Sequence, residues 1–124
     1  MTNTDISVDS SRDLTILKTV GRITCEEICT KIEDFYGGAY TKNVLWDFSD
    51  ADVSTIRAPD IAKMVQLTLK YSRLRPGGKT ALIFFKDYAY GIGRMFSVLK
   101  ELNKSEVLHM TFRNTAKAMI WLEE

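Results

Sequence analysis

The chain has 124 residues, with 17 basic and 16 acidic side chains, 45% hydrophobic and 27% charged residues. These proportions are typical of one soluble globular domain, and the near-neutral charge argues against a general nucleic-acid binder. No apolar run approaches the ~20 residues that span a bilayer, and residues 1–11 lack the pattern of a secretory signal. With only two cysteines as well, we expect a cytoplasmic protein.

The N-terminal segment predicts a β-hairpin. Residues 1–5 are small and polar, so we expect them to be frayed. Strand candidates at residues 6–8 and 14–20 flank the turn-forming residues 9–12, whose Asp and Ser side chains can bond their own backbone. The two strands should therefore pair antiparallel, with Gly21 closing the second.

A helix and a central strand follow the hairpin. Thr24 should begin the helix, because Glu27 stands at the capping-box spacing, and the glycines at 37–38 should end it. Its apolar stripe comprises Cys25, Ile28, Cys29, Ile32 and Phe35 or Tyr36. Residues 44–46 are apolar without alternation, which indicates a strand covered on both faces and joined by a right-handed parallel crossover.

A second helix and a further strand are predicted next. Pro59 fits the first turn of the helix, and Pro76-Gly77-Gly78 marks a stop beyond its end near Ser72. Residues 80–85 form another apolar strand. The expected inner face of the helix consists of Ile61, Met64, Val65, Thr68 and Tyr71.

The C-terminal segment predicts a third helix, a last strand and a short final helix. Asp87 should N-cap the third helix, residues 107–112 should form the strand, and Asn114 should cap the final helix. The expected inner face of the third helix consists of Ile92, Met95, Phe96, Leu99 and Leu102. The whole chain, residues 1–124, therefore predicts a single α/β domain with a mixed sheet of about five strands and four helices, in the order β-β-α-β-α-β-α-β-α.

Several short strings are shared with a known family. They are VGRIT, VLWDFSDA, GGKTALIF, YGIGRMF and AMIWL, in this order between about Leu14 and Leu122. In their order and spacing the chain resembles the anti-sigma-factor antagonist-like group of the STAS superfamily, in its stage II sporulation protein AA-like branch. The resemblance implies a STAS-like fold and a non-catalytic protein-interaction or regulatory role, with no cofactor.

The same resemblance implies a phosphoswitch near the start of the second helix. Regulatory members carry a phosphorylated serine there, in an Asp-Ser-Ser-Gly-like string. This chain has Asp50-Ala51-Asp52-Val53-Ser54 instead, so Ser54 and Ser49 are the candidate residues. Because the string lacks the glycine and adds acids, a phosphate here would meet like-charge repulsion.

The apolar run of the central strand is followed by acidic and hydroxyl residues at the carboxyl end of the strand. This is the end of a sheet at which α/β proteins commonly place their sites. We expect a partner surface at residues 47–57 and the starts of the second and third helices. Its candidates are Asp47, Asp50, Arg57, Asp87, Tyr88, Tyr90, Gly91 and Arg94. The expected partner is a protein, or a second copy in a homodimer, and not nucleic acid.

A ligand carrier is the alternative. Tyr88, Tyr90 and Met95 could line an apolar pocket with Trp46 and Phe48, close to the basic side chain of Arg94. Such a pocket would suit a small apolar ligand, and some relatives suggest lipid or membrane association.

Metal binding and catalysis are disfavoured. Cys25 and Cys29 share a helix face, but His109 is the only other soft ligand, whereas zinc usually takes four. The two cysteines are therefore expected in the core, and His109 has no catalytic motif around it. The acids Asp47, Asp50, Asp52 and Asp87 could bind a cation, although loop acids more often cap helices.

The string Gly91-Ile92-Gly93-Arg94 lacks the third glycine of a dinucleotide fingerprint, so its glycines are expected to let the third helix approach the sheet.

Overall fold

The computed structural model describes residues 2–124 as a five-stranded mixed sheet in the order β1-β2-β3-β4-β5, with four helices. Its strands are β1 (Asn3–Asp9), β2 (Leu14–Arg22), β3 (Asn43–Asp52), β4 (Lys79–Ile83) and β5 (Leu108–Phe112). Its helices are α1 (Cys25–Gly37), α2 (Ala58–Tyr71), α3 (Asp87–Leu102) and α4 (Thr115–Glu123). β1 pairs antiparallel with β2, and the other neighbouring strands are parallel. The predicted fold class and element order are confirmed.

The hairpin begins earlier than predicted. β1 starts at Asn3, which pairs with Val20, so residues 3–5 are part of the sheet and not frayed. Their side chains are polar, but a strand needs only backbone partners, and Thr4 adds a 3.0 Å hydrogen bond between its hydroxyl and that of Thr19. Of the two other residues in this prediction, Thr2 precedes the strand and Met1 lies outside the described residues.

Both faces of β3 are covered. On one face Trp46 and Phe48 stack, and Phe48 stacks in turn on Phe84, beneath the apolar sides of α1, α2 and α3. On the other face Leu45 packs beneath α4, in a smaller cluster with Ala81, Ile83, Ala118 and Leu122. This two-sided burial explains the uninterrupted apolar run at the start of the strand.

Helix α3 is turned relative to the prediction, although three of the five expected inner residues, Ile92, Phe96 and Leu99, do pack against the core. Met95 and Leu102 are 43% and 71% exposed, while the buried positions are Ala89, Gly93, Ser97 and Lys100. Gly93 explains the rotation, because a Cβ there would lie 2.4 Å from Cε2 of Phe84. The predicted close approach therefore holds for Gly93, whereas a Cβ at Gly91 would meet open space.

Most helix starts agree with the sequence. Thr24 and Glu27 form the capping box of α1, Pro59 lies in the first turn of α2, and Asn114 caps α4. Asp87 is instead the first residue of α3, because Lys86 holds the extended N-cap conformation. β3 also continues through Asp52, so the irregular segment before α2 is shorter than expected and spans residues 53–57.

Candidate functional site

The carboxyl end of β3 carries two of the acids expected at a partner surface. Asp47 is half-buried, and its carboxylate accepts a 2.8 Å hydrogen bond from the backbone amide of Ser49. Asp50 is exposed and lies 3.3 Å from the Lys18 ammonium on the neighbouring strand. Both acids therefore have local partners, and Asp50 is the one available to an incoming molecule.

The segment 53–57 is tied to the start of α3. The Tyr88 hydroxyl donates a 2.9 Å hydrogen bond to the carbonyl of Ile56, and Arg57 donates from its guanidinium to the carbonyl of Ser54. The ring of Phe85 is 68% exposed, and Tyr88 remains 54% exposed despite its hydrogen bond. The tertiary structure thus places the exposed ring of Tyr88 beside the loop, and Phe85 presents a second exposed ring just before α3.

An ion pair orders the first turn of α3. Asp87 accepts a 2.8 Å hydrogen bond from Arg113, whose guanidinium also lies 4.3 Å from the ring centroid of Tyr90. Gly91 and Arg94 are exposed on the next turn. We call the surface formed by residues 53–57 and 85–94 the loop–helix face.

The two candidate serines differ in exposure. Ser49 is half-buried within β3, whereas Ser54 is exposed in the segment that precedes α2. Hydrogen bonds from Ser54, followed by Arg22, hold the pKa of the Asp52 carboxyl below its usual value. A negative charge therefore already lies beside Ser54.

The cysteines and acids do not form a metal centre within residues 2–124, where no three His, Cys, Asp or Glu side chains are grouped to hold an ion. Cys25 and Cys29 lie on the inner stripe of α1, with their Sγ atoms 4.0 Å apart. Burial, followed by the neighbouring Cys29, raises the pKa of the Cys25 thiol to about 11. A thiol that holds its proton so firmly is a poor nucleophile and a poor metal ligand.

Within the same residues, no helix is long and apolar enough to cross a membrane.

A cavity of about 100 Å³ lies between the sheet and helices α1, α2 and α3. Trp46 and Phe48 line it, as expected, but Tyr88, Tyr90 and Met95 lie outside its lining, because α3 contributes Ile92, Gly93 and Phe96 to the wall. Its other apolar walls include Leu17, Ile32, Met64, Leu82 and Phe84. The cavity therefore shares Trp46 and Phe48 with the expected pocket but lies deeper in the domain.

Polar groups in the cavity wall are few. They are Lys31, Tyr36, Thr68, Arg75, Thr80 and His109. Arg75 is only 4% exposed, and its guanidinium donates hydrogen bonds to the carbonyls of Lys42 and Lys79 and to the Tyr36 hydroxyl. Thr80 is 7% exposed, and within residues 2–124 its hydroxyl is without a hydrogen-bond partner.

Lys100 lies immediately behind this wall. It is 1% exposed, and its ammonium donates a 2.7 Å hydrogen bond to the Thr68 hydroxyl. Burial, followed by repulsion from Arg75, lowers the pKa of Lys100 to about 7. Burial and Lys100 likewise lower the pKa of His109 to about 3, although the Val107 carbonyl accepts a hydrogen bond from its ring.

Sequence reasoning missed Lys100, Arg75, Thr68 and Thr80 as candidate site residues. The available signal was the run of small residues on α3, because Ala89, Gly93 and Ser97 share with Lys100 the face that contacts the sheet. Small residues at that spacing allow a close approach, and a lysine on the same stripe is then carried into the interior.

The comparisons bear on the fold. No family profile and no curated protein matches the sequence. The structure is similar to an uncharacterised DUF3478-family protein with a SpoIIAA-like fold from Shewanella loihica, with a TM-score of 0.59 and 17% identity, covering 98% of this chain and 93% of that one. It is also similar to an anti-sigma factor antagonist from Mycobacterium paratuberculosis, with a TM-score of 0.65 and 10% identity, covering 100% and 96%. These likenesses confirm the predicted STAS-like, SpoIIAA-like fold.

Proposed function

We propose that this chain is a non-catalytic interaction domain that binds a protein partner on its loop–helix face. The observation that carries the proposal is the exposed ring of Tyr88, which its hydrogen bond to Ile56 fixes beside the loop, together with the exposed ring of Phe85 just before α3. Exposed aromatic side chains in a defined position commonly act as anchors at protein interfaces. The free thiols of Cys25 and Cys29 support a cytoplasmic location.

The fold likeness supports the same function. The similar protein from Mycobacterium paratuberculosis is described as an anti-sigma factor antagonist, which is a role in protein partnering. The charges around the rings, Asp50, Arg57 and Arg94, are exposed and of both signs. A partner with complementary charges would be oriented by them while the rings supply apolar contact.

A matched pair of photocrosslinking sites tests this proposal. A photoreactive amino acid at Phe85 should capture a specific protein in the native host, whereas the same group at Ile120 should not. Ile120 is 64% exposed on α4, against the opposite face of the sheet, so it reports non-specific capture. Arg57→Glu should abolish the crosslink at Phe85. Equal capture at both sites, or capture that survives Arg57→Glu, would contradict this assignment of the interface, and crosslinking to a second copy would identify a homodimer.

Phosphorylation of Ser54 is proposed as the regulation of this face. Its exposure gives a kinase access, and Arg57 lies close enough to donate to its carbonyl. A phosphate would also stand beside Asp52, and the resulting repulsion would loosen the segment. Intact-mass analysis of protein from its own host should show an added phosphate that Ser54→Ala removes. An unchanged mass under all growth conditions, or a phosphate on Ser49 alone, would refute this site.

The cavity favours a second candidate function, the carrier of a small apolar ligand. The cavity is partly open to solvent and lined by apolar side chains such as Trp46, Leu82 and Phe96, so it offers water few partners and gains contacts when an apolar molecule fills it. Native mass spectrometry should then show a bound mass that is lost on denaturation. A bare polypeptide, together with failure of the protein to bind small apolar probes, would exclude the carrier function. Binding to anionic vesicles without a bound small molecule would indicate membrane association instead.

A further inference from the structure

We propose that the cavity takes a small apolar carboxylic acid, with its carboxylate at the end lined by Thr80 and His109 and its apolar part against the aromatic walls. This inference rests on the carrier function proposed above and specifies the chemical class of its ligand. Three features carry it: an unsatisfied hydroxyl, a set of buried cationic groups without an acidic partner, and the size of the void.

Thr80 supplies the first feature. Its hydroxyl is buried in the cavity wall, and across the rest of the described chain, residues 2–124, nothing bonds to it. A buried polar group that is left unpaired costs free energy, and native structures retain few of them without a reason. A carboxylate oxygen in the cavity would accept a hydrogen bond from this hydroxyl and remove that cost.

The strand register places His109 next to this hydroxyl. Thr80 and His109 are direct partners across β4 and β5, and both side chains line the cavity. The ring nitrogen Nδ1 of His109 is 3.1 Å from the Val107 carbonyl and therefore donates to it. The other ring nitrogen is then the atom that can share a proton with an acidic ligand.

The charges provide the second feature. Arg75 and Lys100 are both almost completely buried, and the ion pairs found among residues 2–124 join other residues, all at the surface. The charged group that acts on Lys100 is Arg75, and those that act on His109 are Lys100 and Arg75, so all are basic. A buried positive field without a counter-ion favours an anionic ligand group.

The volume of the cavity limits the size of the apolar part of the ligand. The void of about 100 Å³ is smaller than the roughly 150 Å³ apolar cavity that holds benzene, but it is partly open to solvent, so a slim hydrocarbon chain can enter it and extend towards the opening. Arg75 already donates to two carbonyls and a hydroxyl, so Lys100 is the buried cation whose charge a ligand would balance, and a single carboxylate matches it. Hexanoate is therefore a suitable probe.

Binding must be coupled to proton uptake. In the empty protein at neutral pH, His109 is neutral and Lys100 is partly neutral, since burial holds the pKa of Lys100 at about 7. A bound carboxylate stabilises the ammonium, so above that pH each binding event takes one proton from the solvent. The affinity for hexanoate should then fall by up to about tenfold per pH unit above the pKa of Lys100.

Calorimetric and NMR titrations of the purified protein with three probes of equal chain length test the inference. Hexanoate should bind at least about tenfold more tightly than hexanol at about pH 6.5, and hexylamine should bind least. Only hexanoate should show the pH dependence. The wild-type result also separates the carboxylate subsite from the carrier function. Binding of hexanol with no preference for hexanoate would refute the subsite alone. Binding of none of the probes would refute the carrier function as well.

Two variants locate the subsite. Lys100→Met and Thr80→Val should each weaken hexanoate binding by about tenfold and leave hexanol binding within about twofold of the wild type. Lys100→Met should also abolish most of the pH dependence. The control is Lys63→Met, which removes an exposed lysine from α2 and should change neither affinity. Unchanged hexanoate binding in both site variants, or equal losses for hexanoate and hexanol, would overturn the assignment.

Discussion

Replacement of Lys100 by methionine should stabilise this protein at low pH. In the folded chain burial holds the pKa of the amine at about 7, against an ordinary value of 10.5. Below the lower value both folded and unfolded states carry the proton, and the folded state bears the full cost of a buried charge. At about 1.4 kcal/mol per pKa unit, this cost is about 5 kcal/mol as an upper value.

The sign of the pH dependence follows from proton counts. Between the two pKa values the unfolded chain holds a proton that the folded chain has released, so the stability of the wild-type protein rises with pH. Methionine has a similar length and no charge, and Thr68 keeps its 3.0 Å hydrogen bonds to the carbonyls of Met64 and Val65. The advantage of the variant should therefore shrink by about 2 kcal/mol between about pH 7 and about pH 9.

Urea denaturation of both proteins across this pH range measures the difference directly. Lys63→Met is the matched control, because Lys63 is exposed on the neighbouring helix and its removal should leave the pH profile parallel to the wild type. Parallel profiles for Lys100→Met as well would show that the buried amine keeps an ordinary pKa. The electrostatic part of the ligand inference would then fail.

Three further substitutions test the packing of α3, the attachment of the segment 53–57 and the N-cap of α1. Gly93→Ala should destabilise the protein by about 1–3 kcal/mol, because its Cβ would lie 2.4 Å from the ring of Phe84, whereas Gly91→Ala should be neutral or stabilising. Thermal denaturation measures both, and equal effects would contradict the close approach of α3. Tyr88→Phe should cost about 1 kcal/mol and speed amide exchange in the segment around Ile56, and unchanged exchange would show that the hydroxyl does not fasten the loop. Thr24→Ala should cost about 1 kcal/mol by removing the N-cap of α1, and an unchanged urea midpoint would contradict that role.

Local signals in the sequence determined most of the fold. Capping residues such as Thr24 and Asn114 act within a few residues of the chain, and the apolar run of β3 reports burial on both faces, so the sequence alone predicts these features. It does not predict the start of β1, because the polar residues there enter the sheet through backbone pairing with β2. The same locality explains why the sequence indicates Asp87 as a cap although the extended residue is Lys86.

The candidate sites, like the fold, could be predicted from the sequence only in part. The sequence alone indicated the polar end of β3 and the start of α3, since residues that follow parallel strands gather at one edge of a sheet. It did not indicate that Tyr88 would fasten the segment before α2, because that bond joins residues far apart in the chain.

Only the tertiary structure brings the buried basic residues Lys100 and Arg75 together. Hydrophobic spacing placed Met95 and Leu102 on the inner side of α3, and by the same reasoning a lysine belongs in solvent. The close contact at Gly93 turns the helix, exposes those apolar residues and buries Lys100 beside Arg75 and Thr68. Side-chain polarity is a property of the sequence, but the orientation of a packed helix depends on steric contacts with distant strands, and those contacts outweigh the preference of one lysine for water.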